Sequence, residues 1–163
     1  IICDLLDVVS KNGCMMLNVG PKADGSIGEV DERVLKSIGK WLRVNGEAIY
    51  DTTYWQLFGE GPTKAKEGYF TDGQRLDYTK EDIRFTYKCP YIYATILSWP
   101  QDGQVMIKAL KEQSHHFSSR IEGIEVLGYN HKVIYKQDRQ GLHVSVDAKV
   151  DTKYPVCLKI TTD

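Results

Sequence analysis

A short apolar run between two helix-like segments constrains the fold of this chain more than any other feature. Residues 14–19 are apolar except for Asn18, Gly20-Pro21 ends the run, and Asp24-Gly25 marks a turn. The pattern predicts a buried strand, and a buried strand between two helices is typical of the αβα unit of α/β barrels and doubly wound sheets. The carboxyl end of a parallel strand faces the ligand in such folds, so Asn18 is a candidate substrate-binding residue.

Both flanking segments have helical apolar spacing. The first covers residues 1–11 and is predicted to end at Asn12-Gly13. The second is predicted to start with Asp31 as its N-cap and to end at Asn45-Gly46, with a buried apolar stripe made of Val34, Leu35, Ile38, Trp41 and Leu42. Residues 47–50 are expected to pack on the barrel side. Residues 51–66 are expected to form the crossover between two domains.

From about Gly68 onward the apolar period changes from helical to alternating. Strands are predicted at 83–88, 91–97, 104–110, 124–127, 133–136, 141–146 and 156–160, with a hairpin over 124–136. Short strands at such intervals are typical of an antiparallel sandwich or barrel. We therefore predict an α+β chain in which residues 1–60 form the end of a TIM-like (β/α)8 barrel and residues 61–163 form an antiparallel β-sandwich. No helix longer than about two turns is expected after Gly68.

Composition and charge exclude several classes of function. The net charge is −1, so no cationic surplus favours nucleic acid, and no apolar run approaches the roughly 20 residues that span a membrane. The four cysteines are widely spaced and are interpreted as free thiols, because zinc sites and disulfide frameworks need clustered cysteines. No metal or cofactor is therefore expected. The chain starts without an initiator Met or a helix cap, which predicts that a further part of the parent protein precedes Ile1.

Each candidate site residue has a functional and a structural interpretation. Asn18 either contacts a sugar or hydrogen-bonds a neighbouring loop within the barrel. Met15 and Met16 either line an apolar wall of a sugar pocket or pack in the core. The acidic residues and the histidine pair are interpreted structurally, as turn and capping residues and as an exposed loop; they are Asp24, Glu29, Asp31, His115 and His116.

Aromatic side chains are concentrated in one third of the chain. The group consists of Tyr69, Phe70, Tyr78, Tyr87, Tyr91, Tyr93 and Trp99. Exposed aromatic rings stack on the apolar faces of sugar rings, whereas buried rings fill sandwich cores. A row of exposed rings would indicate a carbohydrate-binding module, and burial would indicate a scaffold without affinity for sugar.

Several stretches together resemble the α-L-fucosidases of glycoside hydrolase family 29. The most specific are residues 5–13, the run Leu17-Asn18-Val19-Gly20-Pro21 with Asp24-Gly25, and residues 38–50. Weaker similarity covers Ile96-Leu97-Ser98-Trp99-Pro100 and residues 126–128 and 141–146. The chain departs from the family at Cys14-Met15-Met16, and Asp51 stands where the family more often has Gly.

The resemblance implies the C-terminal portion of a retaining glycosidase that releases terminal α-L-fucose. Its two catalytic carboxyl groups, about 5–5.5 Å apart, would lie on barrel strands upstream of Ile1, so no residue here takes a catalytic role. The expected partners are fucosylated glycans, through the parent enzyme, and other copies of the chain, through the exposed remnant of the barrel. The family also implies a periplasmic, secreted or lysosomal location.

Overall fold

Two helices cover one face of a five-stranded antiparallel sheet, and a three-stranded sheet covers the other face. The computed structural model describes residues 1–64, 76–146, 150 and 153–163. The helices are α1 (Ile2–Ser10) and α2 (Glu29–Asn45). The strands are β1 (Thr53–Glu60), β2 (Ile83–Lys88), β3 (Tyr91–Ile96), β4 (Gln104–Ile107), β5 (Ile121–Val126), β6 (Val133–Gln137), β7 (Leu142–Val146) and β8 (Val156–Thr162).

The strands form two sheets that enclose one hydrophobic core. The large sheet has the order β1-β2-β3-β8-β5 and the small sheet has the order β4-β7-β6, and the strand pairs in both are antiparallel. Alternate residues of both sheets point inwards and form one core, which includes Phe85, Ile92, Ile107, Leu142, Val144, Leu158 and Ile160. The predicted antiparallel sandwich is confirmed, and in the described part of the chain after Gly68 the only helix is one 3₁₀ turn, Lys108–Leu110.

The predicted hairpin over residues 124–136 is wrong. Strand β5 pairs with β8 in the large sheet, whereas β6 pairs with β7 in the small sheet. The chain between them therefore crosses from one sheet to the other. Local alternation identified both strands, but the choice of partner depends on contacts far along the sequence.

The predicted strand at residues 14–19 is also wrong. The structure places no strand there, and Cys14, Met16, Leu17 and Asn18 are exposed. A strand in the middle of a barrel needs a hydrogen-bonded neighbour on each side. No described strand of this chain lies beside the segment, so its backbone runs as an irregular loop from α1 to α2.

Residues 51–66 do not form the predicted crossover, because β1 occupies half of that stretch. Its register places Thr53 opposite Tyr87 and Glu60 opposite Ile83, so it is the edge strand of the large sheet. Asp51 turns the chain into β1 with a φ of 56°, a conformation that glycine adopts more easily. Residues 65 and 66 lie outside the described part. We propose that the boundary between the two domains falls before Thr53 rather than after residue 60.

The helices begin and pack differently from the prediction. Helix α2 starts after Gly28, whose carbonyl accepts the Glu32 N–H at 2.9 Å, so Asp31 lies in the first turn and is not the N-cap. Of the predicted apolar stripe only Trp41 is buried, while Val34, Leu35, Ile38 and Leu42 are partly exposed. Residues 47–50 were expected on the barrel side, but Ala48 packs with Tyr93, Leu127 and Cys157 on the large sheet.

Two carboxylates tie the strands of the sandwich to its loops. Glu60 accepts the N–H groups of Lys108 at 2.8 Å and Ala109 at 2.7 Å, which joins the edge of the large sheet to the turn that follows β4. Asp82 is fully buried and accepts hydrogen bonds from the backbone and hydroxyl groups of Thr63 and Thr79. Burial raises the pKa of Asp82, but these four hydrogen bonds outweigh it and hold that pKa below its usual value.

Candidate functional site

The loop that carries Asn18 is shaped by turns at both of its ends. Asn12 adopts a φ of 63° and directs the chain away from α1. At the other end, a bridge between Pro21 and Ile27 closes a turn around Gly25. Asp24 accepts the Ser26 N–H at 3.0 Å and the Ser26 hydroxyl at 2.7 Å, which lowers the pKa of its carboxyl group. The turn role predicted for Asp24 is confirmed.

Asn18 lies at the outer part of this loop and is exposed. Its neighbours Met16 and Leu17 are 93% and 42% exposed, and farther along the same segment Ile27 and Val30 are 46% and 63% exposed. The core interpretation of Met16 is therefore wrong in this chain, whereas Met15 is half-buried. Four apolar side chains in water within fifteen residues mark this segment as a surface suited to contact with another protein surface.

The other polar candidate residues lie on other parts of the structure and form no common site with Asn18. Glu29 and Asp31 are exposed in the first turn of α2, where the helix dipole favours negative charge. His115 and His116 are exposed on a turn, as predicted. Within the described ranges, no cluster of three His, Cys, Asp or Glu side chains could hold a metal ion. No helix among the described residues is long and apolar enough to cross a membrane.

The predicted aromatic group does not form an exposed row. Tyr93 is 2% exposed, and Tyr78, Tyr87, Tyr91 and Trp99 are partly buried against the clusters of the core. Tyr69 and Phe70 lie outside the described residues. For the described members, the packing interpretation is therefore the better one.

The principal contact that sequence reasoning missed joins α1 to the large sheet. The Arg84 Nε donates to the Asp7 Oδ1 at 2.7 Å, and the Lys11 ammonium contacts the Asp7 Oδ2 at 2.6 Å. The Arg84 side chain is only 8% exposed, and that of Asp7 is 22% exposed. Phe58 lies beneath both cations, with the Lys11 Nζ 4.8 Å and the Arg84 Cζ 5.7 Å from its ring centroid.

The electrostatics of this contact favour an ionised Asp7. Partial burial raises the pKa of Asp7, but hydrogen bonds from Lys11 and Arg84 outweigh burial and hold that pKa below its usual value. Asp7 and Arg84 lie 77 residues apart in sequence, so no local pattern could have paired them. The strand itself gave no signal either, because Arg84 occupies one of its alternating polar positions, together with Thr86 and Lys88.

A second contact fixes α2 to the same face of the large sheet. Trp41 is 5% exposed, and its indole N–H donates to the carbonyl of Pro155 at 2.8 Å. Its ring shares an apolar cluster with Ile2, Leu6 and Leu97. Together these features define a β-sandwich domain attached to a helical segment whose connecting loop presents apolar side chains to solvent.

Comparisons with known proteins identify both parts. The family model described as Alpha-L-fucosidase matches residues 1–47, and the model described as Alpha-L-fucosidase C-terminal domain matches residues 75–161. The second model alone matches more than half of the chain. This chain belongs to the α-L-fucosidase family.

Relatives and solved structures agree with this assignment. The tissue α-L-fucosidase of Mus musculus is 32% identical over 157 residues, which are 96% of this chain and 30% of that protein. The plasma α-L-fucosidase of Homo sapiens is 34% identical over 107 residues, 66% of this chain and 20% of that protein. The crystal structure of Thermotoga maritima α-fucosidase has a TM-score of 0.73 at 28% identity and covers 98% of this chain and 33% of its own. The chain thus spans about a third or less of the length of the proteins it matches.

Proposed function

We propose that this chain serves as the C-terminal part of an α-L-fucosidase, in which residues 1–52 complete the catalytic barrel and the sandwich supports it. The observation that carries the proposal is the clamped junction between the two regions. Asp7 and Trp41 belong to the segment matched by the Alpha-L-fucosidase model, and Arg84 and Pro155 belong to the C-terminal domain. A charged pair and a buried indole hold the helices against the large sheet, so a barrel that contains them would be held there too.

The exposed loop supports the other half of the proposal. Met16, Leu17 and Ile27 of this loop, with Val30 in the first turn of α2, face solvent in this chain, and burial of apolar side chains is favourable by about 25 cal/mol per Å². The rest of a catalytic barrel is the surface that we propose buries them. Self-association of the isolated chain through the same side chains stays a prediction.

In this proposal, carboxylates outside this chain carry out hydrolysis of the glycosidic bond. The substrates of the whole enzyme are fucosylated glycans. Retaining hydrolysis needs a nucleophile and an acid/base on either side of one glycosidic bond. Asp24, Glu29 and Asp31 are held in a turn and in the first turn of a helix, so we assign them no part in that reaction.

The purified chain is therefore expected to release no nitrophenol from 4-nitrophenyl α-L-fucoside. The assay is run beside three variants, Asp24→Ala, Glu29→Ala and Asp31→Ala, to identify any activity that arises in this loop. Turnover that disappears in one of these variants would overturn the assignment. Turnover that survives all three would require carboxylates elsewhere in the chain.

Asn18 is expected to affect catalysis only within the complete enzyme, as a polar residue at the rim of the substrate pocket. In an α-L-fucosidase that contains this sequence, Asn18→Ala should lower kcat/KM about two- to tenfold, the value of one hydrogen bond of about 0.5–1.5 kcal/mol. Asn130→Ala, in an exposed loop of the sandwich, is the matched control. Lower stability with unchanged kcat/KM would instead favour a hydrogen bond within the barrel.

A further inference from the structure

A cleft of about 450 Å³ opens at the end of the sandwich where β1 begins and β2 ends. Four segments line it: the start of β1, the turn between β2 and β3, the loop at 116–119 and the end of β8. Its volume lies within the range of roughly 300–1,000 Å³ that small-molecule sites occupy. None of residues 1–52 lines it, so the cleft belongs to the sandwich alone.

Aromatic rings contribute flat apolar surface to this cleft. Tyr54 is 58% exposed, and Tyr87, which also lines the cleft, is half-buried against the core of the sandwich. Trp55 is 8% exposed and packs on Phe85 with ring centroids 5.1 Å apart, which holds its indole in place. Such faces suit the C–H side of a pyranose ring, which is apolar although the rim of the ring is polar.

The remaining lining is polar and almost uncharged. Gln56, His116, Ser118 and Ser119 are exposed and supply amide, imidazole and hydroxyl groups that both donate and accept hydrogen bonds. Across the described part of the chain, nothing hydrogen-bonds the side chains of Gln56, Ser118 or Ser119. The lining contains no Lys or Arg, so it lacks the cations that would recognise a phosphate or carboxylate. The chemistry of the cleft fits a neutral, polyhydroxylated ligand.

The walls of the cleft are held in place by hydrogen bonds of their own. The backbone N–H and the hydroxyl of Thr162 both donate to the Pro90 carbonyl, at 3.0 and 2.9 Å. Phe117, only 6% exposed, anchors the loop that carries His116 and the two serines. A preformed cleft binds with less loss of conformational entropy than one that must be ordered by its ligand.

We propose that this cleft is a saccharide-binding site, in which a neutral pyranose lies against the exposed Tyr54 ring and hydrogen-bonds Gln56, His116 and the serine hydroxyls. The site would hold glycan on the sandwich without taking part in its cleavage. It is independent of the catalytic role proposed above, because neither Asn18 nor any other residue of the helical segment lines it.

Cys89 gives this proposal a direct test, because its exposed thiol lines the cleft. Cys14 is the other exposed thiol, Cys3 is half-buried with its pKa raised by burial, and burial raises the pKa of Cys157 to about 12. In a Cys14→Ser variant of the full chain, iodoacetamide should therefore react mainly at Cys89. The rate of that reaction is measured by mass spectrometry with L-fucose, methyl β-D-galactoside or sorbitol present.

A bound pyranose should slow alkylation of Cys89 saturably, about tenfold when the sugar is at about ten times its Kd. Sorbitol has hydroxyl groups but no ring and should not protect. Gln56→Ala combined with His116→Ala should abolish protection, whereas His115→Ala, which changes the adjacent exposed histidine, should retain it. The proposal is overturned if no pyranose protects Cys89, if sorbitol protects equally, or if protection persists in the Gln56→Ala/His116→Ala variant.

Discussion

Replacement of Asp7 by alanine should lower the free energy of unfolding by about 3–5 kcal/mol, because it leaves a buried guanidinium without its partner. The Arg84 side chain is 8% exposed, and its Nε lies 2.7 Å from the Asp7 carboxylate. Its remaining hydrogen bond in this contact, from Nη1 to the carbonyl of Ile83 at 3.1 Å, cannot neutralise the charge. The loss is measured as the change in unfolding free energy in urea.

Two further variants separate the buried charge from the surface contact. Lys11→Ala removes the other partner of Asp7 and should cost less than about 1 kcal/mol, because the Lys11 side chain is 45% exposed. Asp7→Ala combined with Arg84→Met removes both charges and should be more stable than Asp7→Ala alone. A loss for Asp7→Ala as small as that for Lys11→Ala would show that the ion pair does not hold α1 on the sheet.

The same contact predicts how stability depends on pH. The pKa values of Asp7 and Asp82 are both held below their usual value in the folded protein, so their ionised forms stabilise the fold. That stabilisation is complete above the ordinary carboxyl pKa of about 4 and is lost as the pH falls through the lower folded values. Asp7→Ala should therefore lose less stability between pH 5 and pH 2 than the unchanged chain.

The apolar pattern located every strand of the sandwich except β1, since such a pattern is a local property of a few residues, whereas β1 lies in the stretch predicted to be a crossover. The predicted strand at 83–88 coincides with β2, and that at 91–97 extends one residue beyond β3. Which strands pair was harder to predict from the sequence, because partners can lie far apart in the chain. Strand β3, for example, pairs with β8, and Tyr91 lies opposite Thr161. The hairpin error arose from the assumption that neighbours in sequence are neighbours in a sheet.

The candidate sites were predicted less completely than the fold, because their residues come from segments that only folding brings together. A polar residue within an apolar run indicated Asn18 as a candidate, yet the predicted strand around it is a loop in the structure. The proposed saccharide cleft combines Tyr54, Cys89 and His116 from three distant segments, and only the folded structure brings them together. The Asp7–Arg84 ion pair could not be predicted for the same reason, because the sequence around an arginine does not show which carboxylate it binds.

Trp41 is the residue by which α2 is expected to hold the sheet most strongly. Trp41→Ala should cost about 3–5 kcal/mol, the range for removal of a large aromatic side chain from a packed site. The ring is 5% exposed within a cluster that also contains Ile2, Leu6 and Leu97, and the loss of its N–H would leave the Pro155 carbonyl without that donor.

Two substitutions divide this effect into its packing and hydrogen-bonding parts. Trp41→Phe keeps most of the ring but removes the donor, so it should cost about 1–3 kcal/mol through the unpaired carbonyl. Val30→Ala, on the same helix but 63% exposed, should change stability by no more than about 0.5 kcal/mol. A loss below about 1 kcal/mol for Trp41→Ala in chemical denaturation would mean that α2 is only loosely docked. The sandwich would then be unable to hold a barrel through this helix, and the supporting role proposed for it would depend on α1 alone.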